Sequence, residues 1–238
     1  MIYPQVIGEF ETLDAVLSGK SLARFGDGEL KLMDGKGYLR EPGSAQLARE
    51  LLDILQRPAA NCLVGIPTMD PRGPKYENWL RHRDRFAKLI VSGIESQVSG
   101  FSETNGRRET PDTRLFYSAF ITRPDSAPWI NMVEFARQME KLWKGKRAAV
   151  LCERENSILK AVRLSAHRLK HIACPHREAY AGIDELERAI VKARPDIALL
   201  SCGPTATCLA NRLAARGVHA VDIGSAGGYL LKLLIKKS

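Results

Sequence analysis

The sequence predicts an α/β fold of the Rossmann-like kind, a mostly parallel sheet flanked by helices. Three observations carry this expectation. In the second half, short apolar runs alternate with segments whose apolar residues recur at helical spacing. Polar turns, several holding Gly or Pro, follow those runs. The 238 residues are 45% hydrophobic and 26% charged, which suits one large soluble α/β domain or two small ones. Strands that alternate with helices build βαβ units, and βαβ units build parallel sheets.

The elements follow in order. Phe10 to Leu17 reads as a helix and Ser21 to Phe25 as a short strand. Gln46 to Leu55 is a helix, Cys62 to Ile66 a strand, and Tyr76 to Ser92 a helix mixing aromatic and basic residues. Ser99 to Pro111 is polar and contains Gly, so it reads as a loop of functional length. Ala148 to Cys152 is a buried strand after the turn Lys144-Gly145-Lys146, and Asn156 to Ala166 is the helix behind it. Leu169 to Cys174 is a strand, Ile183 to Ala193 an amphipathic helix, and Asp196 to Ser201 a buried strand. A helix from Gly203 to about Arg216 ends at Gly217, and Val218 to Ile223 is the last strand. No repeat, low-complexity tract or Pro/Gly/Ser linker divides the chain, so residues 1–238 read as a single domain with one sheet fed by both halves.

Bulk features narrow the setting. No apolar run is long enough to span a bilayer, and the N-terminus lacks a basic and apolar signal pattern. The five cysteines form no C-x-x-C pair and most lie in strand-like runs, as free thiols in a reducing cytosol do. A cytoplasmic protein is expected. The net charge of +9 is spread rather than clustered, which suits a solvated basic surface or a phosphate-rich substrate, with peripheral contact to an anionic membrane as a further expectation.

Five segments after strands hold the candidate chemistry. In Arg24-Phe25-Gly26-Asp27-Gly28-Glu29, two glycines flank an aspartate and a second carboxylate lies two residues on. Gly permits a sharp bend. Carboxylates at i and i+2 point to one side if the segment is extended, and they suit a hard cation such as Mn²⁺ or Mg²⁺. The same residues also suit a solvated turn. Ser201-Cys202-Gly203-Pro204-Thr205-Ala206-Thr207 joins a strand to a helix. Pro204 fits the first helical position, and the helix-start amides with the Thr205 and Thr207 hydroxyls suit an anion or a plain capped turn. Cys174-Pro175-His176-Arg177-Glu178-Ala179-Tyr180 offers His176 and Arg177 to phosphate and Tyr180 to a base, although a lone His after a strand is more often structural and the tyrosine equally suits packing. Glu153-Arg154-Glu155-Asn156-Ser157 offers either an acid/base carboxylate or a helix cap. Asp222, ending the last strand, suits a ribose or substrate hydroxyl, or closes its turn. All five lie on the edge where open α/β sheets bind ligands.

Taken in order, RFGDGE with LKLM, LVGIP, HIACPHREAY and SCGPTATCLANRLAARGVHAVDIG resemble the glycosyltransferases of the GT-D fold, from about Leu22 to Gly224. After Gly224 this chain departs: it reads Ser225-Ala226-Gly227-Gly228-Tyr229, where family members continue with a His and then acidic and aromatic residues. The resemblance implies a Rossmann-like fold, a nucleotide-sugar donor, UDP-linked, and a divalent metal. Carried over, Asp27 and Glu29 hold the metal and diphosphate. Arg24, Gly26 and Gly28 neighbour the phosphates, and Gly203, Pro204 and Thr205 form the turn beside the nucleotide. A glycan, lipid-linked or protein-linked acceptor is implied. Glu153, Glu155, His176 and Asp222 are candidates for the base that such a transfer needs. Two other readings remain: another nucleotide-using α/β transferase, and a non-catalytic polyanion binder drawn from the charge alone. No nucleic-acid module is recognisable, so no nucleic-acid partner is expected.

Overall fold

A computed structural model describes residues 3–73, 76–98, 115–123 and 126–235, with side chains omitted for 91–98. The loop expected over Ser99 to Pro111 lies outside the described residues. The strands are β1 (Val6–Ile7), β2 (Ser21–Arg24), β3 (Cys62–Ile66), β4 (Phe116–Ser118), β5 (Arg147–Cys152), β6 (Arg168–Ala173), β7 (Ile197–Ser201) and β8 (Ala220–Asp222). The helices are α1 (Glu9–Leu17), α2 (Asp27–Met33), α3 (Ala45–Gln56), α4 (Tyr76–Val98), α5 (Met132–Glu140), α6 (Ser157–Arg163), α7 (Ile183–Ala193), α8 (Pro204–Ala215) and α9 (Gly227–Ile235).

All eight strands join one sheet in the order β1-β4-β3-β2-β8-β7-β5-β6. Every pairing is parallel. The α/β fold with a parallel sheet flanked by helices is therefore as expected, and both halves feed it. The first half supplies β1 to β4 and the second half β5 to β8, and they meet where β2 pairs with β8 through Leu22 and Val221. Successive strand residues point to opposite faces. Val150 and Cys152 pack with α1, α5, α6 and α9, while Ala149 and Leu151 pack with α2, α3, α7 and α8. Both faces are covered, which is why β3, β5 and β7 read as continuous apolar runs. The edge strand β6 differs: Arg168 and Lys170 stand out of it, and charged side chains on an edge discourage pairing with another chain.

The register brings the strand ends level. Arg24 lies opposite Gly65, Cys152 opposite both Ala173 and Ser201, and Leu200 opposite Asp222. The loops that follow therefore rise from one edge at one height. Helix α2, the short strands β1 and β4, and helices α5 and α9 were not among the sequence expectations. The five cysteines are free, four of them buried. No helix among the described residues is long and apolar enough to cross a membrane.

His219, just before β8, gives the fold a pH dependence. Burial, reinforced by the Lys146 charge, pushes its imidazole down to about 4. A depressed His favours the folded state above the unfolded pKa of about 6.5 and loses that contribution as pH falls toward 4. The expected loss is about 3 kcal/mol. The urea midpoint should drop between pH 7 and pH 4.5, and His219→Gln should flatten that drop; equal slopes in the two proteins would contradict it.

Candidate active site

One cavity of about 960 Å³ opens at the carboxyl edge of the sheet, at the upper end of the size usual for ligand sites. Residues after β2, β5, β6, β7 and β8 all line it.

Arg24 ends β2, and the next residues enter α2 directly. Asp27–Met33 is helix rather than an extended bend, with Gly26 as its N-cap. Residues two apart on a helix do not face each other. Asp27 therefore stays partly exposed with the Lys31 ammonium 3.7 Å away. Glu29 turns back and accepts a 2.7 Å hydrogen bond from the Gly26 N–H. This is the glutamate half of a capping box, since Gly26 has no side chain to return the bond, and it satisfies the N-cap N–H at the helix start. Glu29 is only 8% exposed, and burial pushes its carboxyl up to about 7, against a lowering by Arg24 and with a further rise from Asp222. The two carboxylates nevertheless act on one neighbour. Tyr38 is raised first by its burial and then by Asp27 and Glu29. Its ring lies over Gly28, where a Cβ would come within 2.5 Å.

Arg24 lines the cavity, with Asp222 buried behind it. The Arg24 Nε is 3.8 Å from the Asp222 Oδ2 and has no hydrogen-bond partner among the described residues. Asp222 is 2% exposed, accepts from the Gly224 N–H at 3.0 Å, and is raised by burial against the lowering of Arg24. It does not line the cavity, so in place of a direct contact with ribose it holds Arg24 and the β8 turn. The Thr207 hydroxyl donates to the Arg24 carbonyl at 3.0 Å and lies 3.3 Å from Asp222. Thr205 is fully buried and donates to the Glu41 Oε2 at 3.1 Å. Neither hydroxyl is offered to an anion, contrary to the sequence expectation. Gly203 and Pro204 do reach the cavity, where Pro204 takes the first position of α8.

On the far side, Glu153 after β5 meets His176 after β6 through Oε1 and Nδ1. The sequence named both residues without pairing them. The contact with His176, more than any other, holds the Glu153 carboxyl low. Asn156 caps α6 by accepting from the Leu159 N–H at 3.1 Å, and Glu155 pairs with Arg163, so Glu155 is a surface partner here. The residues after Gly224 also belong to the site: Ser225, Gly227 and Gly228 line the cavity at the start of α9.

Tyr38, Arg40, Glu41, Trp79, Phe120 and Arg123 were missed by sequence reasoning, although Tyr38, Arg40 and Glu41 occupy a polar stretch between two glycines. Glu41 joins that stretch to two others. It accepts from the Tyr180 N–H at 3.3 Å and from Thr205, and its own burial raises its carboxyl.

A metal can be tested against the donors present. Among the described residues no three His, Cys, Asp or Glu side chains converge as a complete ligand set. Asp27 and Glu29 offer hard oxygens beside a cavity with room for a diphosphate. The helix turns the two acids apart, where an extended segment would have set them on one side as the sequence suggested; each still lines the cavity, and Mg²⁺ or Mn²⁺, which needs only one or two carboxylates, would take its remaining ligands from phosphate and water.

A parallel sheet covered by helices on both faces, with its cavity at the carboxyl edge, places the protein among the open α/β folds that bind ligands at the strand ends. The chain belongs to the family described as glycosyltransferase GT-D fold, whose family model matches residues 22–227. It is 25% identical over 228 residues to the glycosyltransferase GlyD of Streptococcus pneumoniae serotype 4 (strain ATCC BAA-334 / TIGR4), covering 92% of this chain and 26% of that protein. It is 24% identical over 229 residues to a probable glycosyl transferase, Gly, of Streptococcus gordonii, covering 90% of this chain and 31% of that protein. The chain thus spans about a quarter to a third of the length of these relatives. A solved structure described as the domain of unknown function 1792, with a distinct glycosyltransferase fold, matches with TM-score 0.78 at 24% identity, over 98% of this chain and 83% of that one. A glycosyltransferase of the same domain from Streptococcus sanguinis matches with TM-score 0.72 at 22% identity, over 98% and 85%.

Proposed function

We propose that this protein transfers a sugar from a nucleotide-sugar donor, UDP-linked, to a glycan, lipid-linked or protein-linked acceptor, with Mn²⁺ or Mg²⁺ held at Asp27 and Glu29. The observation that carries the proposal is the single cavity in which two acids, Arg24, the Gly203-Pro204 helix start and the Glu153–His176 pair share one sheet edge. Transfer breaks the bond from the anomeric carbon to the diphosphate, and negative charge builds on the leaving group. When bound, a divalent cation supplies Lewis-acid neutralisation of that charge. The chain's own contribution is fixed in advance. Arg24 lies 3.8 Å from the buried Asp222 carboxylate, and Gly203 and Pro204 at the start of α8 line the same cavity, so a fixed positive charge and a helix N-terminus stand beside the leaving diphosphate. The acceptor hydroxyl must lose a proton. His176, oriented by Glu153, takes it, and Glu29 is kept for the donor side because it is buried and engaged with Gly26. A basic exterior suits an anionic acceptor or membrane surface, and the site is read as facing the cytoplasm.

The test is a panel of UDP-, GDP- and CMP-linked sugars in which the released nucleotide is measured with Mn²⁺, with Mg²⁺ or with a chelator. Slow hydrolysis of one UDP-sugar that needs the metal is the expected outcome. Turnover unaffected by the chelator would remove the cation from the proposal, and turnover of no donor at all would remove the activity.

A further inference from the structure

Two of the three non-glycine residues with positive φ among the described residues meet at the rim of this cavity: Leu39 and Glu178, each at φ 53°. Residues held in sparsely populated backbone regions cluster where a site must be held rigidly. Leu39 and Arg40 form the tip of a tight turn closed by Tyr38 N–H to Glu41 O at 2.9 Å and Glu41 N–H to Tyr38 O at 3.0 Å. Glu178 donates its N–H to the Arg40 carbonyl at 3.0 Å. Buried Glu41 ties the same turn to Tyr180 and Thr205. The turn is thus fastened by its backbone and by a buried acid, while Leu39 is left 83% exposed with no packing reason for its strain.

What the fastening delivers is the Arg40 side chain. Its Nη1 donates to the Glu153 Oε2 at 2.8 Å and lies 2.8 Å from the His176 Nδ1. An Arg N–H and a ring N–H cannot both be directed at each other. Glu153 stands between them, with Oε2 on the Arg40 Nη1 and Oε1 against the His176 Nδ1, so a proton on Nδ1 has a carboxylate to be donated to. Glu153 and His176 are otherwise exposed and rotatable, at 35% and 48%. The Nε2 of His176 has no hydrogen-bond partner among the described residues, and the ring lines the cavity.

We propose that Arg40 is a positioning residue: by holding Glu153 against His176 it fixes the proton on Nδ1 and leaves Nε2 bare toward the cavity. The proposal rests on the glycosyl-transfer reading for its use, since a bare Nε2 is the atom that takes the acceptor's proton. Histidine free in water prefers the proton on Nε2, so the bound form needs the partner at Nδ1. Without Arg40, Glu153 is free to turn away, and the cavity-facing nitrogen regains a proton that blocks it.

Nitrogen-15 NMR of the imidazole rings, with the His176 signal assigned through His176→Asn, tests this on the free protein without turnover. The parent should show Nδ1 protonated and Nε2 bare. Arg40→Gln should move the signals toward the Nε2-protonated form, and Arg40→Lys should restore part of the parent pattern. In the donor assay with an acceptor, Arg40→Gln should lower kcat about a hundred-fold with the donor KM unchanged. A parent ring protonated on Nε2, or a ring unchanged in Arg40→Gln, would overturn the proposal. The expected ring behaviour in a protein that turns over no nucleotide sugar would keep Arg40's role and remove the glycosyl-transfer reading instead.

Discussion

Glu29→Gln and Asp27→Asn are each expected to lower kcat/KM for a nucleotide-sugar donor about a thousand-fold, or about 4 kcal/mol, while leaving the protein folded. The amides are chosen with the local structure in mind. Glu29 is buried and accepts from the Gly26 N–H, so truncation to Ala would strip the cap of α2 and confuse a folding loss with a catalytic one. Glutamine can still accept that bond. Only the negative charge is removed, and charge is what a cation and a diphosphate respond to. Asp27 stands at the helix start in contact with Lys31, so its amide variant costs the fold little. Steady-state kinetics beside a thermal melt separate the two effects. Turnover by both variants at the parent rate would remove the acids from the donor site. Loss of melting temperature by Glu29→Gln alone would assign that residue a purely structural part.

Gly227→Ala is expected to lower stability by about 3 kcal/mol. In a protein of this size that corresponds to about 10 °C in Tm. A Cβ at Gly227 would lie 2.4 Å from the Ile158 backbone nitrogen and 2.8 Å from its Cα. The neighbour is backbone at the start of α6, and α6 and α9 pack closely at that point, so no rotamer change can relieve the contact. The adjacent Gly228→Ala is the control. Nothing stands within 4 Å of its added Cβ, and alanine is the better helix former. Scanning calorimetry should show a large fall for the first variant and none for the second. Because both glycines line the cavity, nucleotide affinity of the Gly228 variant reads out whether the start of α9 touches the donor.

The second-half strands and helices were legible because each is written in local period. A strand covered on both faces is apolar throughout, and a surface helix shows one apolar stripe. β5, β7 and α7 match those patterns almost residue for residue. The start of α2 was not legible. Gly-Asp-Gly-Glu has the composition of a turn, and its helix depends on Glu29 folding back onto Gly26, with burial against the rest of the molecule. α9 was missed for a related reason, since its two leading glycines resemble a loop until α6 is packed against them.

The sequence by itself determined the fold class, the strand ends and most of the chemical groups that stand on them, because hydrophobic period and turn chemistry act over a few residues. The tertiary structure alone decided which groups meet. Arg40 reaches Glu153 across 113 positions and His176 across 136, and the Thr207 hydroxyl reaches the Arg24 carbonyl across 183. Those contacts follow from the strand order, which sets β2 beside β8 and carries β5, β6 and β7 to the same edge. Strand order is fixed by burying both sheet faces at once, a condition on the whole chain that no short window of sequence contains.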